Sequence, residues 1–218
     1  MKINEETVRL YAVTDRAWVG RQSLSEQVEA AIRGGATCVQ LREKELDDQA
    51  FLAEALEMKA ICRKYGVPLI VNDRVEIAMR AGADGVHVGQ EDMTARQVRA
   101  IIGEKMILGV TAKTVEQARQ AEADGADYLG SGAVFGSATK LDAKPMTRER
   151  LSEICASVQI PVAAIGGICR QNAPELSGTG ISGLAVVSGI FAAEDIEGEC
   201  RALRKIADEI AGKKGKTV

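Results

Sequence analysis

A cluster of charged and polar residues lies at the end of an apolar segment near the start of the chain. The segment runs into Gln40-Leu41-Arg42-Glu43-Lys44, and alternation along a strand places Gln40, Arg42 and Lys44 on the same side. Two cations that point inwards need an anion, because an unpaired buried charge is costly. Salt bridges to neighbouring carboxylates would supply one, and a bound anionic ligand is the alternative.

Two later apolar segments each lead to an aspartate. Asn72-Asp73 ends one of them, and Asp92 lies in the loop that follows the next. Carboxylates from neighbouring loops suit Mg²⁺, which takes one or two of them and keeps positions for phosphate oxygens of a substrate. Cations and carboxylates at one mouth favour a metal-bound diphosphate over a simple ion pair. Asp92 could instead cap the helix that begins near Thr94.

Hydroxyl groups and one lysine follow two further segments. Thr111 ends the first of these segments, and the second leads into the glycine-bearing loop Gly136-Ser137-Ala138-Thr139-Lys140. Two hydroxyls and a lysine in such a loop can cradle a phosphate. The loop alone is weak evidence, because Ser, Thr and Gly also dominate ordinary loops.

Small residues end the last two apolar segments. Gly166-Gly167 follows one and Val187-Ser188 ends the other. This arrangement matches the phosphate site that recurs in α/β barrels, where bare amides point at the anion. Tight closure of a barrel is the alternative explanation for the glycine pair. The residues therefore predict a metal-assisted anion site early in the chain and a metal-free one late in it.

Eight short runs, most of them continuously apolar, are predicted strands that are buried on both faces, as in a parallel sheet. They are Leu10–Asp15, Cys38–Arg42, Pro68–Asp73, Gly85–Gly89, Met106–Thr111, Tyr128–Ala133, Val162–Gly166 and Leu184–Ser188. Helical spacing between them predicts helices at Ser23–Arg33, Asp48–Lys64, Thr94–Ile102, Thr114–Ala123, Thr147–Ser157 and Asp195–Ala211, with Asp48 as a helix N-cap.

Alternation of strand and helix along the whole chain predicts an α/β fold, a single-domain (β/α)8 TIM barrel over residues 1–218. We expect a short extension at residues 1–9 and a frayed basic tail at 212–218. A four-fold repeat supports the barrel: Gly35-Ala36-Thr37, Gly82-Ala83-Asp84, Gly125-Ala126-Asp127 and Gly180-Ile181-Ser182 each join a helix to a strand. A doubly wound open sheet is the alternative, weakened because no Gly-x-Gly-x-x-Gly follows the first strand.

Composition excludes several classes of protein. The 218 residues are 46% hydrophobic and 27% charged with a net charge of -3, which does not fit a disordered chain or one attracted to nucleic acid or anionic membrane. Five cysteines without a Cys-x-x-Cys pair disfavour zinc ribbons and disulfide frameworks. The single histidine, His87, is expected to pack or hydrogen-bond locally. We expect a cytoplasmic protein, with self-association into a homo-oligomer left open.

Six motifs, in their order and spacing, resemble the thiamine phosphate synthase family over Leu10 to Ala211. They are Gln40-Leu-Arg-Glu-Lys44, Val71-Asn-Asp73, Gly85-Val-His-Val-Gly-Gln-Glu-Asp92, the Phe135 to Lys140 loop, Ala164-Ile-Gly-Gly-Ile168 and Val186-Val-Ser188. The family is a transferase of thiamine biosynthesis. It joins 4-amino-2-methyl-5-(diphosphooxymethyl)pyrimidine to 4-methyl-5-(2-phosphooxyethyl)thiazole and releases diphosphate, with Mg²⁺ as cofactor.

The resemblance implies a role for each matching residue. The pyrimidine diphosphate would be held by Gln40, Leu41, Arg42, Glu43, Lys44, Asn72, Thr111 and Lys140. The thiazole phosphate would be held by Ser137, Ala138, Thr139, Gly167, Val187 and Ser188. Asp73 and Asp92 would bind Mg²⁺, and Arg42, Lys44 and Lys140 would be catalytic.

Two positions depart from the family pattern. The family usually has Ser at the position of Thr111, and since the hydroxyl survives we expect a small effect. It usually has Pro-Thr at the position of Gly136-Ser137. Loss of the proline should make the empty loop more mobile, which bears on affinity for the thiazole phosphate and not on the reaction.

Three other functions remain as alternatives. A relative of the thiazole tautomerase would use a histidine in the loop after strand six, and this chain has none between Tyr128 and Lys140. A non-catalytic sensor of thiamine phosphates would not need the aspartates that the chain retains. A phosphosugar epimerase could use Asp73 and Asp92 as an acid–base pair but would leave the second anion site unexplained.

Overall fold

Eight parallel strands form a closed barrel in chain order. The structure is a computed structural model and describes residues 3–20, 22–136 and 145–212. The strands are β1 (Leu10–Val13), β2 (Cys38–Leu41), β3 (Leu69–Asn72), β4 (Gly85–Val88), β5 (Ile107–Thr111), β6 (Tyr128–Gly132), β7 (Val162–Ile165) and β8 (Gly183–Val186). All eight predicted strands are confirmed, and β8 pairs with β1, which excludes an open sheet.

Helices surround the barrel. They are α1 (Leu24–Arg33), α2 (Asp48–Tyr65), α3 (Val75–Arg80), α4 (Ala95–Ile102), α5 (Val115–Ala123), α6 (Arg148–Ser157), α7 (Ser188–Phe191) and α8 (Ile196–Ala211). The six predicted helices are confirmed, whereas the short helices α3 and α7 were missed. After β7 the chain forms only a 3-10 turn, Ala173–Leu176. No helix in the described ranges has the length and apolar character needed to cross a membrane.

Side-chain oxygens cap the amino-terminal ends of most of the helices. Ser23, Thr94, Thr114 and Thr147 each lie in extended backbone just before a helix and accept a hydrogen bond from an amide of its first turn. The predicted cap of α2 was wrong by one residue. Asp47 is extended and accepts from the Ala50 amide at 2.8 Å, so that Asp48 is already helical.

The core has two layers. Between strands and helices lies a continuous layer of aliphatic side chains. Inside the barrel a smaller cluster surrounds two buried tyrosines, Tyr11 and Tyr128. Val8 is fully buried in that inner cluster and Ile3 packs against it, so the residues before β1 take part in the barrel core. The tail at residues 213–218 lies outside the described residues.

The four-fold repeat has a structural role at the amino ends of the odd-numbered strands. The glycine that opens each repeat has a positive φ, between 60° and 104°. The amide of the third residue in each repeat donates a hydrogen bond to a carbonyl near the start of the preceding strand. The donor and acceptor pairs are Thr37 and Leu10, Asp84 and Leu69, Asp127 and Leu108, and Ser182 and Val162. In the first three repeats the side-chain oxygen of this third residue also accepts from that strand residue's amide. Such contacts lie at the amino-terminal face of the barrel, where they serve stability.

Asp127 offers a test of this role. Its Oδ2 accepts from the Leu108 amide and from Nη2 of Arg99, both at 2.7 Å. Asp127→Ala should lower the free energy of unfolding by about 2 kcal/mol, because it leaves a strand amide without an acceptor. Asp127→Asn should lower the free energy of unfolding by about half as much, since its side-chain oxygen can still accept the hydrogen bond from the strand amide. Urea unfolding measures both.

The control is Glu76→Ala, which removes a surface carboxylate that pairs with Arg80 at 3.7 Å. That change should cost at most about 0.5 kcal/mol. Equal losses for Asp127→Ala and Glu76→Ala would contradict the role of the repeat.

Candidate active site

A central cavity opens at the carboxyl ends of the strands, and every strand contributes to its wall. The wall contains Tyr11, Val13, Gln40, Arg42, Asn72, His87, Thr111, Lys113, Gly130, Gly132, Ala133, Ile165, Gly166, Gly167, Ile168, Ala185, Val187 and Ser188. Catalytic residues of α/β barrels lie at this end, because the loops that vary between such enzymes follow the strands there.

The structure brings many of the predicted site residues together in that wall. They are Gln40, Arg42, Asn72, Thr111, Gly167, Val187 and Ser188. Ser137, Ala138, Thr139 and Lys140 lie outside the described residues. Residues from both predicted anion sites therefore share one cavity.

The residues after β2 divide between two cavities. Arg42 lines the central cavity and also a side cavity formed by Asp15, Arg16, Ala17, Arg42, Glu43, Lys44 and Glu45. Nη1 of Arg42 lies 3.6 Å from Oδ2 of Asp15, so the salt bridge considered as an alternative is present. Lys44 faces the side cavity only, whereas Leu41 is fully buried between strands and helices. Only the backbone of Leu41 could contact a ligand.

Asp73 and Asp92 lie in the loops after two neighbouring strands, β3 and β4. Oδ2 of Asp73 accepts from Nδ2 of Asn72 at 2.6 Å, and Oδ2 of Asp92 accepts from the Gly89 amide at 2.7 Å. Among the described residues other than glycine, only Asp73 has a positive φ, 61°. Backbone held in that region is enriched at functional sites.

Backbone of two loops meets closely on the opposite side of the cavity. The Phe135 amide donates to the Gly166 carbonyl at 3.1 Å. A Cβ on Gly167, whose φ is 63°, would lie 2.9 Å from the carbonyl oxygens of Phe135 and Gly136. Tight packing therefore requires glycine here, and the same backbone lines the cavity. Tight closure is thus confirmed for the glycine pair, and phosphate binding by the same backbone stays a prediction.

The family model described as thiamine monophosphate synthase matches residues 10–190. The chain belongs to this family. A thiamine-phosphate synthase of Ruminiclostridium cellulolyticum is 51% identical over 197 residues, 90% of this chain and 94% of that protein. One of Clostridium botulinum is 47% identical over 207 residues, 95% of this chain and 97% of that protein.

A solved structure agrees with these sequence relatives. The thiamine phosphate pyrophosphorylase of Pyrococcus furiosus has a TM-score of 0.87 at 38% identity, covering 94% of this chain and 98% of that chain. These findings confirm the predicted thiamine phosphate synthase family, the (β/α)8 barrel and the activity of a thiamine-phosphate synthase, a transferase.

Sequence reasoning assigned no site role to three polar residues of the cavity wall, Lys113, His87 and Tyr11. Lys113 lies two residues after Thr111 and lines the same wall, so alternation could have revealed it. His87 was expected to pack or hydrogen-bond locally, but it bonds to Tyr128 and Thr111 of other strands and lines the cavity. Tyr11 lies within an apolar strand and carried no signal of a polar role.

A partly buried cluster of charged residues beside the side cavity was also not predicted. Arg16 lies between two carboxylates, with Nε 3.1 Å from Oε2 of Glu43 and Nη2 2.5 Å from Oε1 of Glu54. Oε1 of Glu43 and Oε2 of Glu54 are buried without a hydrogen-bond donor. Burial, followed by the neighbouring Glu43, raises the pKa of Glu54 to about 7, against the opposing effect of Arg16. A proton on Glu54 supplies the missing donor.

This pKa predicts a pH dependence of stability. The folded pKa of Glu54 lies above its ordinary value of 4.5, so the folded state holds the proton more tightly than the unfolded state. The resulting stabilisation is complete below pH 4.5 and is lost as pH rises through about 7. As pH rises from 5 to 8, the native protein should therefore lose about 1–2 kcal/mol of unfolding free energy relative to Glu54→Gln, with solvent screening taken into account.

Urea unfolding at the two pH values measures the difference. Glu57→Gln is the control, because Glu57 is exposed on the same helix. Parallel pH profiles for Glu54→Gln and the native protein would show that Glu54 titrates normally.

Proposed function

We propose that the central cavity joins 4-amino-2-methyl-5-(diphosphooxymethyl)pyrimidine to 4-methyl-5-(2-phosphooxyethyl)thiazole, forming thiamine phosphate and diphosphate. The observation that carries this proposal is the shared wall: Arg42 and Asn72 after β2 and β3 line the same cavity as Gly167 and Ser188 after β7 and β8. Two anionic substrates can thus lie with their reacting ends between the two groups of residues.

The pyrimidine diphosphate belongs on the side of β2 to β5 in this proposal. Arg42 presents a planar guanidinium that can bind two phosphate oxygens at once, and its pairing with Asp15 holds it in place until a ligand arrives. Lys44 would contact the distal phosphate from the side cavity, and Lys140 would add a third cation. The backbone around Leu41 and Glu43 completes this side.

Asp73 and Asp92 would hold Mg²⁺. Two carboxylates from neighbouring loops fit this ion, which keeps several positions for water and phosphate oxygens. Asp73 accepts a hydrogen bond from Asn72 through Oδ2, and Asp92 accepts one from the Gly89 amide through Oδ2. When bound, Mg²⁺ supplies positive charge next to the departing diphosphate.

The thiazole phosphate belongs on the side of β6 to β8. Gly167 allows close approach of backbone to the phosphate, and Ser188 offers a hydroxyl and an amide at the start of α7. Val187 contributes its backbone, and Ser137, Ala138 and Thr139 would also bind the phosphate. Docking of this phosphate aims the thiazole nitrogen at the pyrimidine methylene, and positioning of this kind accounts for much of the rate gain.

The chemical step is a substitution at the methylene carbon with strong carbocation character. The electron-rich aminopyrimidine stabilises the cation, so the protein needs no nucleophilic side chain. Its task is to stabilise the charge that gathers on the leaving diphosphate, which Arg42, Lys44 and Lys140 do. As the carbon–oxygen bond breaks, its electron pair leaves with the diphosphate, and the thiazole nitrogen supplies the new bond.

A reducing compartment suits this protein. All five cysteines are free thiols, and Cys38, Cys62 and Cys200 are buried. Free thiols persist where glutathione and thioredoxin keep them reduced. We therefore place the reaction in the cytoplasm.

The direct test is incubation of the purified protein with both substrates, with and without Mg²⁺. Thiamine phosphate and diphosphate should form in equal amounts, and only when Mg²⁺ is present. Absence of product at saturating substrates and Mg²⁺ would overturn the proposed reaction and favour a sensor.

Two substitutions test the proposed roles. Asp92→Ala and Lys140→Ala should each reduce turnover by about 100-fold or more without unfolding the barrel. Lys140→Ala removes a cation that would stabilise the leaving diphosphate, and Asp92→Ala removes a proposed ligand of the Mg²⁺ that would do the same. Asp92→Ala should also raise the Mg²⁺ concentration that gives half-maximal rate. Steady-state kinetics with both substrates measures these effects.

Neighbouring and distant charges serve as controls. Glu91→Ala changes the exposed residue beside Asp92, and Lys205→Ala removes an exposed lysine on α8. Both should keep turnover within about twofold of the native value. Near-normal rates for Asp92→Ala and Lys140→Ala would sink the assignment of these roles.

A further inference from the structure

A chain of four hydrogen bonds crosses the inside of the barrel. Nε2 of Gln40 donates to the Tyr11 hydroxyl at 2.7 Å, and that hydroxyl lies 2.7 Å from the Tyr128 hydroxyl. The Tyr128 hydroxyl lies 3.0 Å from Nδ1 of His87, and Nε2 of His87 lies 3.0 Å from Oγ1 of Thr111. We call these five residues the relay. Four of them line the central cavity, whereas Tyr128 is fully buried behind it.

The direction of the other bonds follows from giving each proton of the relay an acceptor. Tyr11 accepts from Gln40, so its own proton has an acceptor within the relay only when Tyr11 donates to Tyr128. Tyr128 then donates its own proton to Nδ1 of His87, so the proton of the neutral imidazole lies on Nε2. Nε2–H donates to Thr111, and the Thr111 hydroxyl keeps its proton for a ligand. Burial raises the pKa of both phenols well above the ordinary value, so each remains a donor.

Two strand glycines make room for the relay. A Cβ on Gly109 would collide with the Tyr128 ring and hydroxyl, and it would lie 2.5 Å from Nδ1 of His87. A Cβ on Gly130 would lie 3.1 Å from Cε1 of His87. Glycine inside a strand weakens the strand and often marks close approach of other atoms. The places where β5 and β6 lack side chains are thus the places that the relay occupies.

We propose that Tyr128 is a positioning residue that acts through His87 to fix the Thr111 hydroxyl as a hydrogen-bond donor to the pyrimidine diphosphate substrate. The proposal rests on the proposed function, because it concerns the side of the cavity assigned to that substrate. A hydroxyl can donate or accept, and only donation favours an anionic or electron-rich partner. The relay decides between the two before the substrate binds, so no reorientation is needed on binding.

Spectroscopy of the resting protein tests the direction of the relay independently of activity. The chain has one histidine, so ¹⁵N-labelled protein gives the two nitrogen signals of a single imidazole. At pH 8 the native protein should show the neutral Nε2–H form. Tyr128→Phe should shift the balance towards Nδ1–H, because the donor to Nδ1 is gone. A native protein with Nδ1–H, or with a charged imidazolium, overturns the proposal.

Kinetics tests whether Tyr128 acts through Thr111. Tyr128→Phe should raise KM for the pyrimidine diphosphate about tenfold, the usual effect of one hydrogen bond, and leave KM for the thiazole phosphate unchanged. Thr111→Val should produce a similar rise, and Thr111→Ser should restore native values because it keeps the hydroxyl. Adding Tyr128→Phe to Thr111→Val should change nothing further.

If the increases in KM were additive in the double variant, Tyr128 would support only packing, and the proposal would be wrong. The control is Tyr65→Phe, which removes an exposed phenol that donates to Glu29 at 2.7 Å. It should change neither KM nor the imidazole spectrum. A protein that forms no thiamine phosphate would overturn the proposed function instead, and the His87 spectrum would still decide the relay.

Discussion

Closure of eight parallel strands brings all their carboxyl ends to one mouth, and the polar residues that follow the strands must share that small space. Arg42 cannot face the cavity without a partner, so it pairs with Asp15 while lining the site. Asp73 and Asp92 are brought to neighbouring loops by the same closure. The closeness of these charges is thus a consequence of barrel geometry combined with residue type at the strand ends.

The inside of the barrel imposes a second limit, because space between eight strands is scarce. Tyr11 and Tyr128 meet there edge to face, with ring centroids 5.7 Å apart. Their hydroxyl groups are satisfied by one another and by Gln40 and His87, as buried polar groups must be. The scarcity of aromatic residues in the chain, 3% of the total, suits a barrel that admits few large side chains.

Local sequence patterns predicted the fold more completely than they predicted the site. Apolar runs predicted every strand, and hydroxyl residues such as Ser23 and Thr94 predicted where helices begin, since these signals depend on residues nearby in the chain. The short helices α3 and α7 have too few residues to show a periodicity. Asp47 and Asp48 are equally good caps in sequence, and only the backbone conformation distinguishes them.

Contacts between residues that are far apart in the chain could not be predicted from the sequence. His87 was expected to hydrogen-bond locally, yet its partner Tyr128 lies in another strand and gave no sign of a polar role. Arg16 joins Glu43 to Glu54 across three separate elements, and the raised pKa of Glu54 follows only from that meeting. The strand-end motifs were visible because closure places them together whatever their separation in the chain.

The central claim is that one cavity holds a diphosphate on the side of β2 to β5 and a phosphate on the side of β6 to β8. A crystal structure of the protein with thiamine phosphate, diphosphate and Mg²⁺ tests it most directly. The account predicts diphosphate against Arg42, the metal on Asp73 and Asp92, and the phosphate of the product against Gly167 and Ser188. Diphosphate bound at Gly167 and Ser188, or a metal bound away from both aspartates, would contradict it.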